Sequence, residues 1–86
     1  MDDYYGFKLL EENRVAEAIE KFRSYRLADP ENELVNSVMA RYYLSIGRPD
    51  SALIMTNEIL RVSPADMQAR QLAGQAEQMM QQIRGR

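Results

Sequence analysis

The chain has 86 residues, 45% of them apolar and 28% charged, proportions that fit one small globular domain with no room for a second core of ordinary size. It contains no Cys and no His, which excludes zinc fingers, disulfide scaffolds and Cys–His or Ser–His chemistry. Eleven basic residues against thirteen acidic ones give a net charge of −2, so no positive excess is present to neutralise phosphates, and a nucleic-acid partner is not expected.

The chain opens Met-Asp-Asp-Tyr-Tyr-Gly, with acids where a secretory signal carries Lys or Arg. Its apolar runs are far shorter than the roughly 20 residues of a membrane helix. Membrane insertion is not expected. Cytoplasm is the default expectation, although a mature exported protein would have lost its signal.

A first helix is expected over about 2–12, closed by Asn13, a residue that tolerates the left-handed conformation. The second, over about 15–28, presents Val15, Ala18, Ile19, Phe22 and Tyr25 at helical spacing and stops before Asp29-Pro30. Asn32 is the expected N-cap of a third helix over about 33–46, with Val35, Met39, Tyr42, Tyr43 and Ile46 as its apolar stripe. Gly47 then takes the place of Asn13. Pro49 suits the first turn of a fourth helix over about 49–62, followed by Asp50 on the favourable end of the dipole. Its stripe is Ala52, Leu53, Ile59, Leu60 and Val62. Ser63-Pro64 breaks it, and Asp66 caps a fifth helix over about 67–83 with Ala69, Ala73, Ala76, Met80 and Ile83 inward. No sustained alternation competes for a strand.

Sliding the chain by 34 positions superposes Leu10 on Leu44, Arg14 on Arg48, Ala18 on Ala52 and Pro30 on Pro64, and small residues recur as Gly6, Ala40 and Gly74. A small residue lets two helices cross closely, so Gly6 and Ala40 are expected to face Ala18 and Ala52 across their loops. Gly6, Leu9, Ala18, Phe22, Tyr25 and Pro30, then Ala40, Tyr43, Gly47, Ala52, Ile59 and Pro64, resemble two copies of the tetratricopeptide repeat. Asp2 and Asn36 stand where the first aromatic of that pattern would be, and Thr56 replaces the Phe that Phe22 supplies.

The resemblance implies an all-α fold: a right-handed superhelical stack of antiparallel helix pairs, five helices in a single domain. Repeat 1 spans about 1–32, repeat 2 about 33–66, and a capping helix about 67–83. It also implies a protein–protein interaction module, adaptor or assembly factor, binding a peptide or helix of a partner in a concave groove. The groove positions are Asp3, Phe7 and Glu11 from the first pair, Leu34, Ser37, Arg41 and Ser45 from the second, and Gln68, Gln71 and Gln75 from the cap. Phe7 and Leu34 would be apolar anchors and Arg41 the central cation. Some members of the family clamp a terminal carboxylate with Lys and Asn; the matching positions here include Asp3, Phe7, Ser37, Val38 and Arg41, so that clamp is not implied. The Gln residues at 68, 71, 75, 78 and 82 share one face, which reads as a solvated cap or as a polar wall of the groove.

No catalytic residue, cofactor or metal is expected. The carboxylates, among them Glu11, Glu12, Glu17, Glu20, Glu31 and Glu33, read as a solvated face, with Glu17 and Lys21 at the spacing of a surface ion pair. Arg70, Arg84 and Arg86 are too scattered to make a nucleic-acid footprint. The alternative reading is a structural subunit, or a fragment of a longer repeat protein, that forms a homo-oligomer. Its candidate patch is Ile54 and Met55, which stand where the first repeat carries Glu20 and Lys21.

Overall fold

Two kinds of turn limit the helices, and each returns after 34 residues. The computed structural model describes residues 3–85, with side chains from residue 5 onward. The chain runs through α1 (Asp3–Glu11), α2 (Val15–Ala28), α3 (Glu33–Ser45), α4 (Pro49–Val62) and α5 (Met67–Arg84). No strand occurs among the described residues. Asn13 at φ 63° and Gly47 at φ 74° are left-handed, the conformation that closes α1 and α3. Around them the N–H of Asn13 donates to Leu10 O at 3.0 Å and that of Arg14 to Leu9 O at 2.8 Å. Gly47 to Leu44 O at 3.2 Å and Arg48 to Tyr43 O at 2.8 Å repeat the pattern. This pair of bonds is the Schellman arrangement, which satisfies carbonyls that the helix end leaves bare. Arg14 and Arg48 at once become the N-caps of α2 and α4, their carbonyls accepting from Ala18 and Ala52 at 3.0 and 3.1 Å. Neither arginine side chain caps its helix. The side-chain caps belong to the other turns: Asn32 Oδ1 accepts from Val35 N at 3.1 Å and Asp66 Oδ1 from Ala69 N at 2.9 Å.

The chain divides into two compact units, Met1–Pro30 and Glu31–Arg86. In the first, α1 packs on α2 as a helical hairpin. Leu9, Ala18, Ile19, Phe22 and Tyr25 are buried. The Phe22 ring presents edge-to-face contacts to Phe7 and Tyr25, with centroids 5.1 and 5.8 Å away. A Cβ on Gly6 would lie 2.9 Å from Cζ of Phe22, so the tightest approach at this glycine is made by that ring. Val15, placed in the α2 stripe by its spacing, is 39% exposed at the helix start. Lys21 is not bound to Glu17. Arg14 takes that carboxylate with two hydrogen bonds, and the Lys21 ammonium lies over the Tyr5 ring at 5.3 Å.

In the second unit α4 packs against both α3 and α5, and α3 meets α5 over a smaller area. The buried face of α4 is Pro49, Ala52, Met55, Thr56 and Ile59, rotated from the expected stripe: Leu53 and Leu60 are half-buried and Val62 is exposed. The rotation corrects the proposed patch. Met55 is 5% exposed and belongs to the core, because a helix gripped on two sides needs a wider apolar face than one hairpin partner demands; Ile54 beside it is 56% exposed. On α3, Val35, Asn36, Met39 and Ala40 are buried, and Ile46 lies exposed at the C-cap. On α5 the inward residues are Ala69, Leu72, Ala73 and Ala76; Met80 is half-buried and Ile83 is exposed. At one end of this unit Arg61 bridges Glu31 at 3.0 Å and Glu58 at 3.1 Å, and Ser63 donates to Glu33.

Candidate functional site

Four residues of α3 lie on one side of its buried stripe. Leu34 is 55% exposed, Ser37 half-buried, and Arg41 and Ser45 exposed. Asn32 fixes the start of this helix and Gly47 its end, so the four side chains are presented by a rigid, capped element. Val35, Met39 and Ala40 hold it against α4.

Arg41 differs from most of the other arginines. Arg14, Arg23, Arg48 and Arg61 each have a carboxylate within 4 Å, and hydrogen bonds to Glu17 and to Glu31 hold the Arg14 and Arg61 guanidinium groups above their ordinary pKa. Arg70 donates to the Pro64 carbonyl at 2.9 Å. Among the described residues Arg41 has no ion pair. The local sequence explains it: one turn either way along α3 stand Ser37, Val38, Leu44 and Ser45, none of them an acid. The Ser45 hydroxyl donates to the Tyr42 carbonyl at 2.6 Å, which fixes it beside the helix backbone. The rings of Tyr42 and Tyr43, in the same turn, lie 5.4 Å apart and tilted by 56°.

Gln68, Gln71 and Gln75 are all exposed on α5, the helix that meets α3 within this unit. Gln78 and Gln82 continue their face. Such amides each offer donors and an acceptor without charge. The side of α3 that carries Arg41 and the Gln face of α5 thus supply one free cation, one apolar anchor and a row of amides.

The residues expected from α1 stand differently. Phe7 is half-buried with its ring on Phe22, so it serves the core of the first unit as well as its surface. Glu11 is exposed at the end of α1. The side chain of Asp3 lies outside the described residues, as does Arg86. The helical spacing of α3 foretold its outer face; the half-burial of Phe7 followed from an aromatic cluster that the spacing of a single helix does not reveal. An open cleft between the α3–α4 turn and the end of α5 was likewise not foretold. Its walls are at least 30 residues apart in sequence, and no periodicity links them.

Among the described residues no helix is long and apolar enough to cross a membrane. A family model described as tetratricopeptide repeat matches residues 9–76. Comparisons with curated proteins and with solved structures return no match.

Proposed function

Because the chain belongs to the tetratricopeptide repeat family, whose repeats generally mediate protein–protein interaction and are typically not catalytic, we propose that it is an adaptor or assembly factor. In this reading it holds a peptide or helix of a partner protein against the faces of α3 and α5 described above. The observation that carries the reading is the unpaired Arg41 in the middle of the exposed α3 face. An arginine with no carboxylate of its own is free to take one from a partner, in a fixed bidentate geometry. Leu34, one and a half to two turns away, supplies an apolar contact, and the Gln row supplies neutral hydrogen bonds that fit many sequences.

The partner is recognised by an acid positioned against an aliphatic residue. Affinity capture from the native source, followed by titration of the captured partner with purified protein, tests this. Arg41→Glu should weaken binding by one to three orders of magnitude, as for loss of a charged interface anchor worth roughly 2–4 kcal/mol. Unchanged affinity in Arg41→Glu, with helicity intact, rejects the α3 face as the site.

A further inference from the structure

Where α5 ends beside the α3–α4 turn, an open cleft of about 250 Å³ is lined by Gly47, Arg48, Pro49 and Asp50 on one side and by Met80, Ile83 and Arg84 on the other. It lies apart from Leu34, Ser37, Arg41 and Ser45, none of which lines it. Its exposed lining is almost wholly apolar, and Ile83 is left 57% exposed at the end of a helix whose inward residues Ala69, Leu72, Ala73 and Ala76 are buried. The volume is below the roughly 300–1,000 Å³ of small-molecule sites. It fits one or two side chains of another protein.

Charge at the rim selects among such side chains. Arg48 and Arg84 stand against a single acid, Asp50. The Asp50 carboxyl is held below its usual range by the Ser51 backbone N–H and then by Arg48, whose Nε is 3.5 Å away. Among the described residues Arg84 has no ion pair. The positive end of α4 at Pro49 stands beside the negative end of α3 at Gly47, so these two helix ends offset each other, and Arg84 in the last turn of α5 offsets the negative end of that helix; the net positive charge of the rim is that of its side chains. At Gly47 an added Cβ would meet nothing within 4 Å, so a partner backbone can come close to the turn.

From this apolar floor and net positive rim we infer that the cleft docks an aliphatic side chain of an acidic segment in a partner protein, as a second contact separate from the α3 face. The aliphatic group sits on Pro49, Met80 and Ile83, and the neighbouring carboxylate pairs with Arg84.

Fluorescence anisotropy with a short labelled peptide, two adjacent leucines flanked by glutamates, tests the assignment against the same peptide flanked by lysines. The acidic peptide should bind the wild type, less well at high salt. Affinity should fall at least about tenfold in Ile83→Asp and in Arg84→Glu. Arg84→Glu should gain affinity for the lysine-flanked peptide, a reversal that loss of folding cannot produce, and in an Arg41→Glu background, where the α3 face is disabled, Arg84→Glu should still cost the acidic peptide at least about tenfold. The inference is overturned by absence of binding, by equal binding of both peptides to the wild type, or by no further loss when Arg84→Glu is added to Arg41→Glu. A wild-type dimer that Ile83→Asp disperses in sedimentation would also overturn it, because the cleft would then be covered by a second copy.

Discussion

A Cβ added at Gly6 would stand 2.9 Å from Cζ and 3.1 Å from Cε1 of Phe22, a ring that is fully buried and braced edge-on by Phe7 and Tyr25. The ring cannot swing aside without breaking those contacts. Thirty-four residues on, both members of the pair change together: Ala40 replaces Gly6 and Thr56 replaces Phe22, and each is fully buried. The methyl that the first hairpin excludes is thus present in the second, where the side chain at the position corresponding to Phe22 is smaller. Thr56 settles its hydroxyl on the Leu53 carbonyl at 3.1 Å, so no buried donor is stranded. Gly6→Ala should therefore destabilise by about 1–2 kcal/mol, the cost of overpacking less the helix propensity that alanine restores. In a Phe22→Leu background the same change should be neutral or stabilising. Urea unfolding of the four proteins forms a double-mutant cycle, and equal losses from Gly6→Ala in both backgrounds would refute the steric account.

At the scale of the element, the turns matter more than the helices they join. Asn32 and Asp66 each hold one orphan N–H, whereas Arg14 and Arg48 occupy N-cap positions with no side-chain bond to a backbone N–H of the helix. Asn32→Ala and Asp66→Ala should each cost about 0.5–2 kcal/mol, while Arg14→Ala and Arg48→Ala should be nearly neutral, since their ion pairs lie in solvent. Thermal unfolding of the four variants separates the two groups; arginine losses as large as the cap losses would contradict it. These turns were legible in the sequence because Asn, Asp, Gly and Pro act through their own backbone preferences. The faces of α4 and α5 were less legible. Whether Met55 or Leu60 points inward on α4 depends on how many neighbours the helix has, and that is decided by tertiary packing. The same limit displaced Glu17 from Lys21, since Arg14 competes for the carboxylate from the preceding turn.

At the scale of the whole molecule, the sequence showed the outer side of α3 as four residues at helical spacing and no acid one turn from Arg41, yet only the placement of acids on other elements established that Arg41 has no ion pair among the described residues. The cleft beside Ile83 was hidden for the same reason, being made by segments distant in sequence. The two units also differ in what secures them. α1 has nine residues, fewer than the roughly 12–15 that an isolated helix needs, and it packs on α2. α4 is held on both flanks, by α3 and by α5, and buries Ala52, Met55, Thr56 and Ile59 between them. In repeat architectures stability is close to a sum of local terms and nearest-neighbour interfaces, so opening need not be global. Hydrogen exchange of the intact protein should find the slowest amides in the middle of α4, around Ala52–Ile59, and the fastest helical amides in α1. Adding denaturant should bring the two together only near the global midpoint. Amides of α1 that exchange as slowly as those of α4 in the absence of denaturant would show instead that all five helices open as one cooperative unit.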